Sequence, residues 1–441
     1  MEPGTRLAQE RPGLERQLGR WDLTAISMNT IVGSGIFLLP ATAAAAAGVL
    51  APLAFVVAGL LSLLFAMSFA EASARVPGTG GPFLVARAAF GNFTGFEVGW
   101  IFWVSRMAAV AASYNVFLGY LAGVVPAVAE GGPRLAAITL LATVVTMLNL
   151  RGVRIGATIT NTLTLAKLAP LVILVVGAAT FVLAGRAESA PPVVSGDFWR
   201  AVLLVAFAFG GFEVATVPGG ESRAPARDVP AALFLSIGGA ILLYVALQAL
   251  CFAVLPSLGE SARPLADAAA VVFGAPGATL IAAGALVSTA GYIFGASLVV
   301  PRVAWAIADA GQFPAALARV HPVFHTPWVA IVAHGVLTWL LAAGLGFFSL
   351  VVVNVLARLV VIAVTCAAVL KLRAAGGPAP DWVAPGGALV PVLGLVAAAA
   401  LVTQATAAEL AWGAGALAVG SALYRFTVGR SPQTRPPPPT G

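Results

Sequence analysis

Residues 29–40 read Asn-Thr-Ile-Val-Gly-Ser-Gly-Ile-Phe-Leu-Leu-Pro and interrupt an apolar run over residues 22–47. A run of that length reads as a membrane-crossing helix, and Gly33-Ser34-Gly35 lies near its middle. A helix broken in hydrocarbon frees backbone N–H and C=O groups, which are costly to bury unless protein, ion or ligand satisfies them. Gly210-Gly211, followed by Phe212-Glu213, interrupts a second run over residues 199–220 in the same way. Paired breaks predict a binding site inside the membrane.

Working outward, 441 residues that are 60% hydrophobic and 9% charged cannot form a soluble globule. Apolar runs fall near residues 22–47, 53–74, 96–122, 134–150, 155–184, 199–220, 231–255, 267–298, 327–346, 348–371, 388–405 and 408–427. The expected fold is therefore all-α and integral to the membrane, with twelve transmembrane helices of which the first and sixth are broken. A net charge of +7 invites a nucleic-acid reading, but the basic residues alternate from loop to loop. With the N-terminus inside, seventeen of the 24 Lys and Arg residues are cytoplasmic, including Arg20, Arg75, Arg87, Arg223, Arg302 and Lys371. The outer loops hold only Arg134, Arg186, Arg200 and Arg263. That asymmetry follows the positive-inside rule, so both termini are expected in the cytoplasm of a plasma (inner) membrane protein, with lipid and no nucleic acid as partner. Residues 1–21 read as a polar cytoplasmic tail and not a cleaved signal, and residues 428–441, with Pro436–Pro439, as a disordered proline-rich tail. Cys251 and Cys366 lie inside runs, and the three histidines are ill spaced, so neither a disulfide nor a metal or other cofactor is expected.

The two breaks are five spans apart. A five-span unit repeated once must insert upside down the second time, which predicts inverted repeats over residues 22–184 and 199–371, with spans eleven and twelve at 388–427 outside them. The Gly- and Pro-rich segments 74–95 and 299–325 also correspond, each following an even-numbered span on the cytoplasmic side. At the first break, the N-terminus of a second half-helix would offer free N–H groups to a carboxylate, with the Ser34 hydroxyl and the Gly35 amide beside it. Carbonyls freed at Ile31, and at Phe207 and Gly210 in the sixth span, would suit an ammonium group. Donors beside acceptors complement an α-amino acid. The competing reading makes these glycines small residues that let helices pack closely.

Several motifs stand in one order along the chain. They are Ile31 to Pro40, Pro77-Gly78-Thr79-Gly80-Gly81-Pro82, Phe209-Gly210-Gly211-Phe212-Glu213, Glu221 with Pro225 and Pro230, and Arg302 followed by Ala306, Asp309-Ala310-Gly311 and Pro314. Over about residues 20–375 the chain thereby resembles the amino acid, polyamine and organocation (APC) transporter superfamily, of the bacterial amino acid permease type. The resemblance implies a LeuT-like 5+5 inverted repeat with alternating access and substrate held at the breaks of spans one and six. The first span is similar to that of arginine/agmatine antiporters, but Phe207 stands where those have tryptophan and Phe83 where tyrosine is common. The change at Phe207 weakens the likeness to an arginine carrier.

Lys167 is one of only two lysines and lies about 12 residues, or roughly 18 Å, into the fifth span. An ammonium at that depth must be paired with carbonyls or lose its proton. The resemblance implies that Lys167, within Asn161-x-Leu163-x-x-x-Lys167-Leu168, occupies the place of sodium in sodium-coupled relatives and contacts the first break. It is read as the carrier of a coupling proton or as a fixed cation. Glu213 follows the second break, where the resemblance implies gating or pH sensing; capping of the second half of span six is the alternative. Arg106 and Arg358 need partners in the interior, with Glu71, Glu97 and Glu213 as candidates, and read mainly as structural. Ser288 and Thr289 read as donors to helix carbonyls more readily than as sodium ligands.

The expected function is secondary active transport of amino acids by alternating access, sodium-independent, coupled to protons or to exchange, with neutral L-amino acids favoured. A cationic amino acid or polyamine antiporter is the alternative. An enzyme would need clustered catalytic groups and a channel would need a continuous lined pore, and neither pattern is present. Monomer and homodimer are both left open.

Overall fold

The computed structural model describes residues 17–187, 196–206, 208–376 and 380–428. Within them the chain is helical, with no strand and one isolated parallel bridge between Leu18 and Ser222. The helices are α1 Arg20–Ile31, α2 Leu39–Ala47, α3 Ala51–Arg75, α4 Pro82–Phe90, α5 Asn92–Ala122, α6 Gly131–Leu150, α7 Val153–Leu183 and α8 Phe198–Ala206. They continue with α9 Pro225–Val254, α10 Pro264–Phe273, α11 Ala275–Val299, α12 Pro301–Asp309, α13 Trp328–Gly344, α14 Phe347–Ala374, α15 Leu389–Val402 and α16 Ala407–Val428. Seven of them have proline in their first two positions, where its missing N–H is no loss and its fixed φ starts the helix.

Seven stretches of the described residues are helical, long and apolar enough to cross a membrane: Leu39–Arg75, Asn92–Ala122, Gly131–Leu150, Thr158–Leu183, Pro225–Val254, Ala275–Asp309 and Ser349–Ala374. The α5 and α11 stretches are mostly buried, whereas α6 and α7 turn most of their apolar residues outward. Leu140, Val176, Leu242 and Val396 are more than half exposed, as hydrocarbon-facing residues of a membrane protein are. The run read as a single span at 267–298 is two helices, because Gly274 has φ +71 and a new helix starts at the next residue, with Pro276 in its second position.

α1 ends at Ile31, the chain leaves helical geometry at Val32, and a 3-10 turn at Gly35–Phe37 leads into α2. α8 ends at Ala206, and residues after the second glycine pair form 3-10 turns at Phe212–Thr216 and Gly219–Glu221. Among the described residues a 3-10 turn, not an α-helix, follows this break, and the Glu213 carboxylate accepts the N–H of Gly211 at its start.

The two interrupted segments dock on each other. Thr30 Oγ1 donates to the Gly211 carbonyl at 2.9 Å. Gly211 has φ +108, and a Cβ there would lie 2.7 Å from the Thr30 carbonyl oxygen. A side chain is excluded both by the backbone conformation and by the neighbouring chain. Gly211→Ala is expected to destabilise the protein by roughly 2–5 kcal/mol, from left-handed strain plus overpacking. The thermal unfolding midpoint in detergent measures it, and an unchanged midpoint would contradict this account of the contact.

One face of the bundle, which carries Leu18, Thr79 and Glu221, is closed by a dense polar layer. Leu18 N–H donates to the Glu221 carbonyl at 3.0 Å, and Arg223 N–H donates to the Leu18 carbonyl at 2.9 Å. Arg302 makes a two-pronged contact with the Glu221 carboxylate, both residues being buried. Gly80 N–H donates to the Val217 carbonyl at 2.9 Å, seating the 77–82 loop against the end of the second interrupted segment. The nine-residue helices α4 and α12, within segments 74–95 and 299–325, both open on proline.

Candidate functional site

The carbonyls stranded at the end of α1 are met by side chains from three other helices. Lys167 of α7 is fully buried, and its Nζ donates to the Asn29 carbonyl at 2.6 Å and to the Val32 carbonyl at 2.5 Å. Ser288 of α11 donates to the Val32 and Gly33 carbonyls at 3.1 and 3.3 Å. Tyr244 of α9 donates to the Ile31 carbonyl at 2.9 Å. An ammonium and two hydroxyls thus answer the partial negative charge of a helix C-terminus. Asn29 holds α1 to α11 through its amide, which donates to the Gly291 carbonyl at 2.6 Å. Thr289 bonds to carbonyls of its own helix, Ala285 and Leu286.

Beside the break lies a cavity of about 20 Å³, bordered by Ser34, Gly35, Arg106, Ser113, Gly210 and Tyr292, among others. That is room for about one water molecule. A larger apolar vestibule of about 690 Å³ opens from the face opposite the Glu221 layer and reaches the same Gly35. Leu38, Thr42, Leu203, Ser261, Val351 and Leu401 are among its walls. Gly35 also lets the chain pass close to the sixth segment, since a Cβ there would lie 3.2 Å from the Ala208 Cα.

Three charged side chains meet at the second break. Glu213 Oε1 lies 3.4 Å from Arg106 Nη1 of α5 and 3.4 Å from Arg358 Nε of α14. Glu213 Oε2 accepts the Gly211 N–H at 3.2 Å, fixing the carboxylate to the break. Arg358 also donates to the Ala206 carbonyl at 3.1 Å, the last of α8, and stacks over Phe212 with its guanidinium 5.6 Å from the ring centre. Arg106 donates to Ser105 Oγ at 3.3 Å, and the Asn354 amide donates to the Ser105 carbonyl at 2.8 Å, tying α5 to α14. Of the other candidate carboxylates, Glu71 pairs with Arg75 and Arg373, and Glu97 accepts from Ser421 at 2.9 Å.

The structure brings Ile31, Ser34, Gly35, Gly210, Lys167 and Glu213 into one region, whereas Phe207 lies outside the described residues. Ile31 differs in role, for its carbonyl already accepts from Tyr244 and from the Gly33 N–H at 2.8 Å. Tyr244, Tyr292, Asn354 and the convergence of Arg106 with Arg358 escaped the sequence reading. An arginine in each of two apolar runs was the available signal, but their common partner emerges only from the packing of α5 against α14.

The Amino acid permease family model matches residues 18–427. The serine/threonine exchanger SteT of Bacillus subtilis is 29% identical over 73% of this chain and 75% of its own length. The branched-chain amino acid permease BcaP of Bacillus subtilis is 29% identical over 81% of this chain and 79% of its own. Among solved structures, an outward-open Na+-coupled sialic acid symporter superposes with a TM-score of 0.57 at 13% identity, covering 94% of this chain and 90% of that one, a likeness of fold. A match over nearly the whole chain, joined to long apolar helices, makes this a multi-pass membrane transporter and not an enzyme. The chain belongs to the amino acid permease family of the APC superfamily.

Proposed function

We propose that this permease moves amino acids across the plasma membrane by alternating access, with substrate held between the breaks of the first and sixth spans. The observation that carries the reading is the junction itself: two interrupted segments joined through Thr30 and Gly211 beside a cavity bordered by Ser34, Gly35 and Gly210. In this mechanism the Ser34 hydroxyl and Gly35 amide hold the substrate carboxylate. Backbone carbonyls near Ile31 and Gly210 hold its ammonium, those not already taken by Lys167, Ser288 and Tyr244. The vestibule that reaches Gly35 is the entry route, and the Glu221–Arg302 layer is the closed opposite gate. The twelve-span arrangement with inverted repeats at 22–184 and 199–371, and cytoplasmic termini, gives the two gates equivalent positions.

Lys167 supplies a cation at the α1 carbonyls, which supports sodium-independent transport coupled to protons or run as exchange. Glu213, pinned to Gly211, acts on the gate because it cannot move without the sixth segment. A cationic cargo, the alternative raised by the first-span likeness, is disfavoured by Arg106 at the cavity wall. SteT and BcaP are named for neutral amino acids, the class that the sequence favours. Counterflow in proteoliposomes tests the function: unlabelled amino acid inside should accelerate uptake of labelled amino acid. If none of the twenty amino acids produces trans-acceleration, the carrier reading fails.

A further inference from the structure

The charges around the cavity do not balance. Arg106 and Arg358 are 2% and 6% exposed, and the one carboxylate between them, Glu213, is fully buried. Both guanidiniums converge on the same oxygen, Oε1, at 3.4 Å, while Oε2 is taken by the Gly211 amide. Glu213 Oε1, Arg106 Nε and Arg358 Nε have no hydrogen-bond partner among the described residues. One carboxylate cannot neutralise two guanidiniums, and an uncompensated buried charge is among the most expensive features a protein interior can hold. Such a group is stabilised when an anion arrives beside it.

The position of the surplus charge shows where that anion would come from. Arg106 borders the same cavity as Ser34 and Gly35, together with the hydrogen-bonding side chains Ser113, Tyr292 and Asn354. Arg358 does not border this cavity and is anchored instead to Ala206 and Phe212. A substrate whose α-carboxylate rests at the first break therefore has Arg106 beside it, on the wall supplied by α5, in a cavity that must widen from its one-water volume to admit the side chain. We propose that Arg106 anchors the substrate side chain and that the site selects α-amino acids bearing a second carboxylate, such as glutamate and aspartate. Arg358 holds Glu213 in place, so that Arg106 keeps donors free for the incoming group. The inference rests on the carrier reading and changes its side-chain class from neutral to anionic.

Glutamate and glutamine have the same shape and differ in charge, so their ratio of apparent affinities isolates the effect. In proteoliposomes, glutamate is expected to compete for exchange better than glutamine. Arg106→Gln should lower the glutamate-to-glutamine affinity ratio by about a hundredfold, the scale for removing one partner of a buried charged contact. Arg106→Lys keeps the charge without the planar fork, and should retain the preference for glutamate with weaker binding. Glutamine competing as well as glutamate in the wild type overturns the proposal, as does an unchanged ratio in Arg106→Gln. Should Arg106→Gln not fold, glutamate affinity unaltered in Arg106→Lys overturns it too. Those outcomes leave the carrier function standing; absence of counterflow with every amino acid removes both.

Discussion

Lys167→Ala is expected to reduce amino acid exchange in proteoliposomes to the level of empty vesicles. The ammonium of Lys167 is held by the Asn29 and Val32 carbonyls, at the point where α1 ceases to satisfy its own backbone. Removing it leaves the Asn29 carbonyl bare, since Ser288 reaches only Val32 and Gly33. Each buried acceptor left without a donor costs roughly 1–3 kcal/mol. The break would relax toward another geometry, and the Ser34 and Gly35 amides would lose the orientation that receives a carboxylate. Lys167→Met separates this structural part from coupling: it fills the same space without a charge, so transport that survives should no longer vary with pH if Lys167 carries the coupled proton. Uptake by Lys167→Met with a wild-type pH profile would remove both the proton-carrying role and the fixed-cation role.

Glu213→Gln is expected to be the more destabilising of the two changes. It removes the only carboxylate between Arg106 and Arg358 and leaves both guanidiniums buried without a counter-charge. Breaking a buried charged contact from one side costs about 3–5 kcal/mol. The pair Glu213→Gln with Arg358→Gln should recover much of that loss, because the cluster then holds a single surplus guanidinium, as it does in the native protein. Thermal melting of the single and double variants in detergent measures the coupling. Additive losses would show that the three residues do not act as one electrostatic unit.

The chain displays some of this directly and hides the rest for physical reasons. Gly33-Ser34-Gly35 was legible because nothing in a membrane helix but a site or a close packing contact rewards three small residues at that depth. Lys167 was legible for the same reason, as an ammonium in hydrocarbon must have an answer nearby. Gly274 was passed over within the 267–298 run, although Pro276 just beyond it is the ordinary mark of a new helix start. The 3-10 geometry after Gly211 could not be read from an apolar pattern, because it depends on how closely Thr30 approaches. Arg106 and Arg358 stand 252 positions apart, and the sequence offered three carboxylates for them. Only the meeting of α5, α14 and the sixth segment selects Glu213 and leaves Glu71 to Arg75 and Arg373.

The backbone bridge from Leu18 to residues 221–223 has a mechanical meaning. It joins the entrance of the first interrupted span to the exit of the sixth, and it does so with peptide groups, which have no rotamers through which to slacken. At that face the two spans are tied by two backbone hydrogen bonds, which must break or move together when the gate opens. A joint made of neutral peptide groups is also indifferent to salt and to the protonation of side chains. The charged part of this face is the neighbouring Glu221–Arg302 contact, so a chemical signal reaching the seam would act through that pair.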